Sequence, residues 1–257
     1  STRIPEILDR VVELTRSAGR VDVAVWPENV VPAFLPANEA LVVDALGSLL
    51  GTTRNVVVGA PRSSPGGALF NSAFLYSNAN LVAFHDKVHP VPFTESVPEF
   101  ARGRWHRAVD LTAGADVSVL PAGNTLLGPL ICYELLFAEI AIAQVRAGAE
   151  VLLNISHDGY FGGTWGANQH LLAAPLRAIE MRRPLLRSTS DGVTVAVDHA
   201  GRIVGRVRAK EPAVLTVDVW PSQRQTLFVR TGRSFALVVS GLALLFASTD
   251  VLRTFRT

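Results

Sequence analysis

The apolar run Thr125 to Ile131 leads almost directly into Leu135 to Ala147, so the fold has to place a buried strand that feeds a helix. The first run is apolar enough to be a buried strand, and LLFAEIAIAQVRA has the length and apolar spacing of a helix. Cys132, the only cysteine of the chain, sits at the joint. A thiol at a helix N-terminus faces unpaired N–H groups and the positive end of the helix dipole, and both favour the thiolate. That position suits a nucleophile, and a lone cysteine is also a small buried hydrophobe. The residues around Cys132 have to decide between the two.

The rest of the chain alternates in the same way. Ile4 to Ser17 has helical spacing, Val21 to Trp26 is a strand stopped by Pro27, and Asn38 to Leu50 is a second helix. Asn55 to Ala60, Leu69 to Ser77 and Asn80 to Phe84 are strands, the last two joined by a hairpin at Ser77-Asn78-Ala79-Asn80. His85 to Gly114 carries Pro90, Pro92 and Pro98 and no sustained period, which predicts a long functional loop. Beyond Cys132, Glu150 to Ser156 is a buried strand, His157 to Gly166 a glycine-rich aromatic loop, and Asn168 to Arg182 a helix. Leu185 to Thr189 is a strand, and Val193 to Asp198 with Arg202 to Arg208 a hairpin turned at His199-Ala200-Gly201. Ala213 to Val219 completes the sheets. This order predicts a layered α/β architecture with helices outside a central pair of sheets.

With 257 residues and 49% hydrophobic content, the chain can bury one large core. Residues 1–229 read as one catalytic-size domain and residues 230–257 as a separate apolar tail. A net charge of +2, with arginines scattered among apolar segments, excludes a nucleic-acid stripe. One cysteine excludes an internal disulfide and a cysteine-rich zinc site. No signal peptide is present at the front, and the absence of an initiator methionine predicts a processed or excerpted chain. Ser234 to Thr249 is sixteen residues without a charge, just under the length of a membrane-spanning helix. It fits a short span or a buried or interface-lying helix equally well.

Three residues at strand ends are suited to work on an acyl group: Glu28 after the first strand, Lys87 after the strand ending at Phe84, and Cys132. A carboxylate can take the thiol proton and pass it on, and an ammonium can stabilise the thiolate and the oxyanion formed when it attacks a carbonyl. Of 24 basic residues only Lys87 and Lys210 are lysines, so position 87 points to a need for a compact ammonium.

Trp26-Pro27-Glu28, His85 to Pro98 and Leu127 to Glu134 together resemble, in order, the three catalytic blocks of the nitrilase superfamily. Its membrane branch, the apolipoprotein N-acyltransferases, is the most similar. Further resemblance runs through Arg146 to Ala149, Leu153 to Gly162, Gln169-His170, Arg177 to Glu180, Arg183 to Thr189 and Arg230 to Gly232. The resemblance implies a four-layer αββα sandwich with Glu28 as general base, Lys87 as oxyanion stabiliser, Cys132 as nucleophile and Glu95 assisting. It implies that Tyr133 and Glu134 shape the pocket, with Tyr160, Phe161 and Trp165 at its mouth. The implied reaction moves an acyl chain from a phospholipid to Cys132 as a thioester, then to the α-amino group of a lipoprotein's N-terminal cysteine. The enzyme would sit in the bacterial inner membrane with this domain on the periplasmic face and use no cofactor and no metal.

Two positions depart from the family pattern. Thr94 stands where glycine is usual, and His157-Asp158-Gly159-Tyr160-Phe161 replaces an Asn-Asp-Ala-Trp-Phe run. These changes keep open a plasmid-transfer relative with another substrate, or a soluble hydrolase acting on a small amide through the same three residues. Rival sites are weaker. His85 and His89 have metal-pair spacing but are followed by Pro90 and Pro92. Ser156, His157 and Asp158 are too close in sequence to converge as a triad. Gly162, Gly163 and Gly166 lack phosphate-loop spacing. Arg102, Arg104 and Arg107 form a solvated face or meet lipid head groups. If the catalytic reading holds, Glu28 and Lys87 meet Cys132 in space, beside an apolar groove between the Glu95 loop and the loop from Tyr160 to Trp165.

Overall fold

The computed structural model describes residues 3–101, 103–104, 110–161, 165–208, 212–232, 234 and 237–245, without the side chains of Tyr160, Phe161 and Arg208. Two sheets stack face to face, each covered by a pair of helices. Sheet one has the order β1(Val21–Val25), β2(Thr53–Ser63), β3(Leu69–Ser77), β4(Asn80–Asp86). Sheet two runs β10(Ile203–Arg208), β9(Val193–Val197), β8(Leu185–Thr189), β7(Val151–Ser156), β6(Thr125–Ile131), β5(Leu120–Ala122). α1(Arg3–Ser17) and α2(Glu39–Gly47) lie on the first sheet, and α3(Ala138–Arg146) and α4(Trp165–Met181) on the second. α5(Leu227–Thr231) packs beside α3 and α4 through Val229.

The layers follow from the strand period of two. On β2, Val56, Val58 and Ala60 meet the first helix pair, while Val57 faces the other sheet. On β7, Val151, Leu153 and Ile155 face the first sheet and Leu152 faces α3 and α4. A strand covered on both faces is buried throughout, and every residue of β7 is buried, Asn154 and Ser156 on the Leu152 face included. β6, β7 and β8 run parallel, so the loops after β6 and β7 emerge at the same end of the sandwich. β1 pairs parallel to β2, and the Glu28 loop after it reaches that end from the other sheet.

Several boundaries differ from the sequence reading. The strand predicted to end at Phe84 runs on to Asp86, and the hairpin turn uses Asn78 and Ala79 at φ 50° and 59°. The long loop after β4 contains a single 3-10 turn, Glu99–Ala101, among the described residues. β5 was not anticipated, because three residues carry no period. Ala213 to Val219 joins neither sheet. It is extended and turns Leu215 and Val217 toward Gly205 of β10, so its alternation reflects packing without a ladder. The helix expected from Leu135 is delayed: Cys132–Leu136 is a 3-10 turn and α3 starts at Ala138.

No helix among the described residues is long and apolar enough to cross a membrane. Residues 237–245 are helical and expose Leu237, Val238, Leu242 and Leu244. Phe235, Ala236 and the end of the uncharged run lie outside the described residues, as do Arg102, Arg107, Gly162 and Gly163.

Candidate active site

Four side chains predicted from the sequence meet at one end of the sandwich. β1 delivers Glu28, whose approach is fixed by Trp26: its N–H donates to the Val57 carbonyl at 2.8 Å and its indole to Thr15 at 3.0 Å. Gly59 permits the crossing, because a Cβ there would overlap the Pro27 carbonyl oxygen and stand 2.8 Å from Glu28 Cα. Glu28 is 3% exposed. Its Oε1 accepts from Asn71 Nδ2 at 2.6 Å and its Oε2 from the backbone N–H of His157 at 2.7 Å.

β4 delivers Lys87. Arg62 and Ser72 bind the Asp86 carboxylate, and the Lys87 N–H donates to the Asn71 carbonyl at 2.8 Å, so the strand end is held from both sides. Lys87 Nζ lies 2.7 and 2.8 Å from the two Glu95 oxygens and 3.6 Å from Glu28 Oε1. Glu95 also accepts from the Val91 N–H at 2.7 Å, which curls the proline-rich loop back over the lysine. Burial pulls the Lys87 ammonium down, but Glu28, Cys132 and Glu95 outweigh it and hold the group above its ordinary value. The ammonium stays charged.

β6 delivers Cys132, 8% exposed and at φ 51°. Glu28, Lys87 and Glu95 all act on its thiol electrostatically, and the Ser156 hydroxyl lies close enough to favour the thiolate. Burial first, then the Glu28 charge, push the thiol up to about 12, against the opposing pull of Lys87 and Ser156. This corrects the expectation of a helix-stabilised thiolate. The α-helix begins at Ala138, six residues beyond Cys132, and at neutral pH Cys132 is a thiol that needs a base.

Asn29, Phe93 and Cys132, one beside each block, are three of the six described non-glycine residues at positive φ. Such positions cost about 1–3 kcal/mol each and persist where the surroundings over-determine them. For Cys132 the surroundings are visible. His170 Nε2 lies 2.8 Å from the Cys132 carbonyl and Asn154 Nδ2 3.3 Å from it. His170 Nδ1 in turn faces Asp158 and Arg187, and Arg187 also bonds Asn154. Burial raises Asp158, but His170, Arg187 and Ser156 override it and hold the carboxyl well below the usual carboxylate range.

Glu134, expected at the pocket, is wholly buried and binds backbone instead. It accepts from the N–H groups of Val88 at 2.6 Å, His89 at 3.3 Å and Ile131 at 2.7 Å, tying the lysine and cysteine blocks together. Its other neighbour is His85, 3.6 Å away, while His89 stacks on Phe137, so the two histidines serve different partners. Tyr133 is half-buried and edge-on to the same Phe137 at 4.9 Å. Trp165 opens α4 and is 82% exposed. Tyr160 and Phe161 lie in the 3-10 turn Asp158–Phe161, their side chains outside the description. The expected groove beside Cys132 would be walled partly by such residues. A cleft of about 1480 Å³ opens elsewhere, between β1 and residues 212–221.

Sequence reasoning gave no role to Asn71, Asn154, His170 or Arg187. The signal available was a polar residue at an inward position of an apolar strand, as in LFNSAFL, VLLNIS and LLRST. Ser156 and Asp158 do touch, at 2.9 Å, and the histidine that meets Asp158 is His170. The neighbour His157 turns to Asp191.

A doubly covered two-sheet sandwich with a cysteine, a lysine and two glutamates gathered at one end is the architecture of a nitrilase-superfamily enzyme. The chain belongs to the carbon-nitrogen hydrolase family, whose model matches residues 1–227. Among curated relatives, the apolipoprotein N-acyltransferase of Geobacter metallireducens is 32% identical over 251 residues, covering 94% of this chain and 48% of its own. That of Brucella melitensis is 33% identical over 267 residues, covering 96% and 49%. The chain therefore spans about half the length of these relatives. Saccharomyces cerevisiae Nit3, a member of branch 10 of the nitrilase superfamily, superposes with TM-score 0.59 at 17% identity, over 78% of this chain and 79% of its own. An amidase from Nesterenkonia gives 0.58 at 23% identity, over 79% and 81%. At these identities the two structures speak for the fold alone.

Proposed function

We propose that the protein is an N-acyltransferase that carries a phospholipid acyl chain on Cys132 and delivers it to the α-amino group of a lipoprotein's N-terminal cysteine. The observation that carries this reading is the gathering of Glu28, Lys87 and Glu95 around the Cys132 thiol. The similarity to N-acyltransferases over most of the chain supports the choice of acceptor.

The chemistry follows from the charges. Because the thiol is pushed up to about 12, Glu28 removes its proton as sulfur attacks the ester carbonyl, and the proton passes to the departing lysophospholipid oxygen. The Lys87 ammonium, held by Glu95, stabilises the oxyanion. Attack by the acceptor amine on the thioester then restores the thiol through Glu28. No residue in this scheme needs a metal or a cofactor. Phospholipid and lipoprotein are the partners, and the site works at the periplasmic face of the inner membrane, with the apolar stretch around residues 237–245 toward lipid. Residues 1–229 form the catalytic domain in this reading.

Intact mass after incubation with phospholipid vesicles tests it. The expected result is an acyl-sized adduct, removed by hydroxylamine and absent from Cys132→Ser. Absence of the adduct, with turnover of small amides instead, would make the protein a carbon–nitrogen hydrolase.

A further inference from the structure

The ends of β6 and β7 lie abreast, and that register puts a hydroxyl beside the Cys132 sulfur. The two strands run parallel with Ile131 opposite Ile155, so the next residues, Cys132 and Ser156, stand side by side on neighbouring strands. Ser156 is wholly buried. Its hydroxyl donates to Asp158 Oδ1 at 2.9 Å and lies close enough to the sulfur to favour the thiolate. The following residue, His157, gives its backbone N–H to Glu28 Oε2 at 2.7 Å. The tip of β7 therefore reaches both the sulfur and the carboxylate that acts on it.

A hydroxyl has one proton to give. Asp158 is ionised and only accepts, so while Cys132 is a thiol the Ser156 proton is committed to Asp158. Asp158 can spare it. Arg187 Nη2 lies 2.7 and 2.6 Å from its two oxygens, and a Cβ on Gly192 would overlap Oδ2, so the carboxylate is boxed in and already paired. Around the sulfur, Lys87 acts as a charge that is itself paired with Glu95, and Ser156 is the hydrogen-bonding side chain. The charge that forms on sulfur is thus the one short of a partner. Rotation about the Ser156 C–O bond carries the proton from Asp158 to the sulfur without moving a heavy atom, and a hydrogen bond to an anion is stronger than one between neutral groups.

We infer that Ser156 is the hydroxyl that carries the sulfur through its anionic state. Its proton points to Asp158 while Cys132 is a thiol, and turns to the sulfur when Glu28 takes the thiol proton and again when the thioester breaks. The proton count does not change: Glu28 gains the proton that sulfur loses, and the hydroxyl keeps its own. Asp158 acts through Ser156 as a positioning residue. The inference rests on the acyl-transfer reading only in taking Cys132 as the attacking residue.

Alkylation of the full chain by iodoacetamide between pH 7 and pH 10, followed by intact mass, tests this. Below the thiol pKa the rate follows the thiolate fraction. Ser156→Ala deletes one oxygen and leaves Asp158 on Arg187, so the fold stands. It should slow alkylation about tenfold across that range. A merely structural serine predicts the opposite sign, because loosened packing would expose the buried Cys132 and speed the reaction. The same substitution placed in Glu28→Gln separates the hydroxyl from the neighbouring N–H on Glu28, and should again slow alkylation about tenfold. Thioester formation on phosphatidylethanolamine vesicles should fall by a similar factor in Ser156→Ala. Alkylation that is unchanged or faster in Ser156→Ala, or a slowing that disappears in the Glu28→Gln background, overturns the role of Ser156. A parent that forms no thioester overturns the acyl-transfer reading and leaves the alkylation rates to decide on Ser156.

Discussion

The Cys132 carbonyl oxygen lies 2.8 Å from His170 Nε2. A carbonyl only accepts, so Nε2 carries the proton and the ring donates to the Cys132 backbone. The histidine is thereby a clamp on a left-handed residue, at φ 51°, and the angle at which sulfur leaves the strand depends on it. His170→Ala leaves the carbonyl with only the longer Asn154 contact. It is expected to lower stability by about 1–3 kcal/mol in denaturant unfolding and to slow thioester formation further than that loss explains.

Asn71 donates to Glu28 at 2.6 Å and to Glu95 at 3.2 Å, so one amide sets the spacing of the two carboxylates around Lys87. Asn71→Asp replaces that donor with a third carboxylate. Thioester formation should fall by at least about tenfold, while Asn71→Ser, which keeps one donor, should lose less. Equal rates for the two variants would show that the amide does not hold the carboxylates.

Glu28 raises the thiol pKa and is the base of the proposed mechanism, and the two effects separate in Glu28→Gln. Removing the negative charge lowers the Cys132 pKa from about 12, so alkylation by iodoacetamide at pH 8 to 9 should become faster. Thioester formation in the same variant should be abolished. Slower alkylation would contradict the charge relation between the two residues.

Asp158 carries the acid sensitivity of the site. Its folded pKa is depressed, so the stability it contributes is present above the unfolded carboxyl value of about 4 and is lost as pH falls toward the folded value. Asp158→Asn should flatten that acid limb in thermal unfolding between pH 5 and pH 2. The variant should also be less stable at pH 7 by about 3–5 kcal/mol, because Arg187 is then a buried charge without its partner.

Gly59→Ala tests the approach of β1 to β2. The added methyl group meets the Pro27 carbonyl and the Glu28 backbone, neither of which is a flexible chain end. A destabilisation of about 3 kcal/mol or more is expected, with any folded protein impaired in thioester formation because Glu28 is displaced. An unchanged melting temperature and rate would show that the loop has slack.

The residue pattern alone determined a great deal. The run Thr125 to Ile131 has no charged or solvated face, and a strand without one lies between two layers, so the sandwich was implicit in its composition. Glu28, Lys87 and Cys132 stood out because each is a reactive residue where an apolar run stops, and Glu95 followed from the resemblance of its block. The tertiary structure decided what surrounds them. Asn71, Asn154, His170 and Arg187 are separated from their partners by 12 to 43 positions, and a hydrogen bond of that span leaves no period in the chain. Glu134 could be read as a pocket residue because a buried acid and an exposed one look alike in sequence, until three backbone donors close around it. The state of the thiol was decided last. A helix start one turn later and a glutamate from the opposite sheet outweigh the local preference at Cys132, because charge and burial act through space.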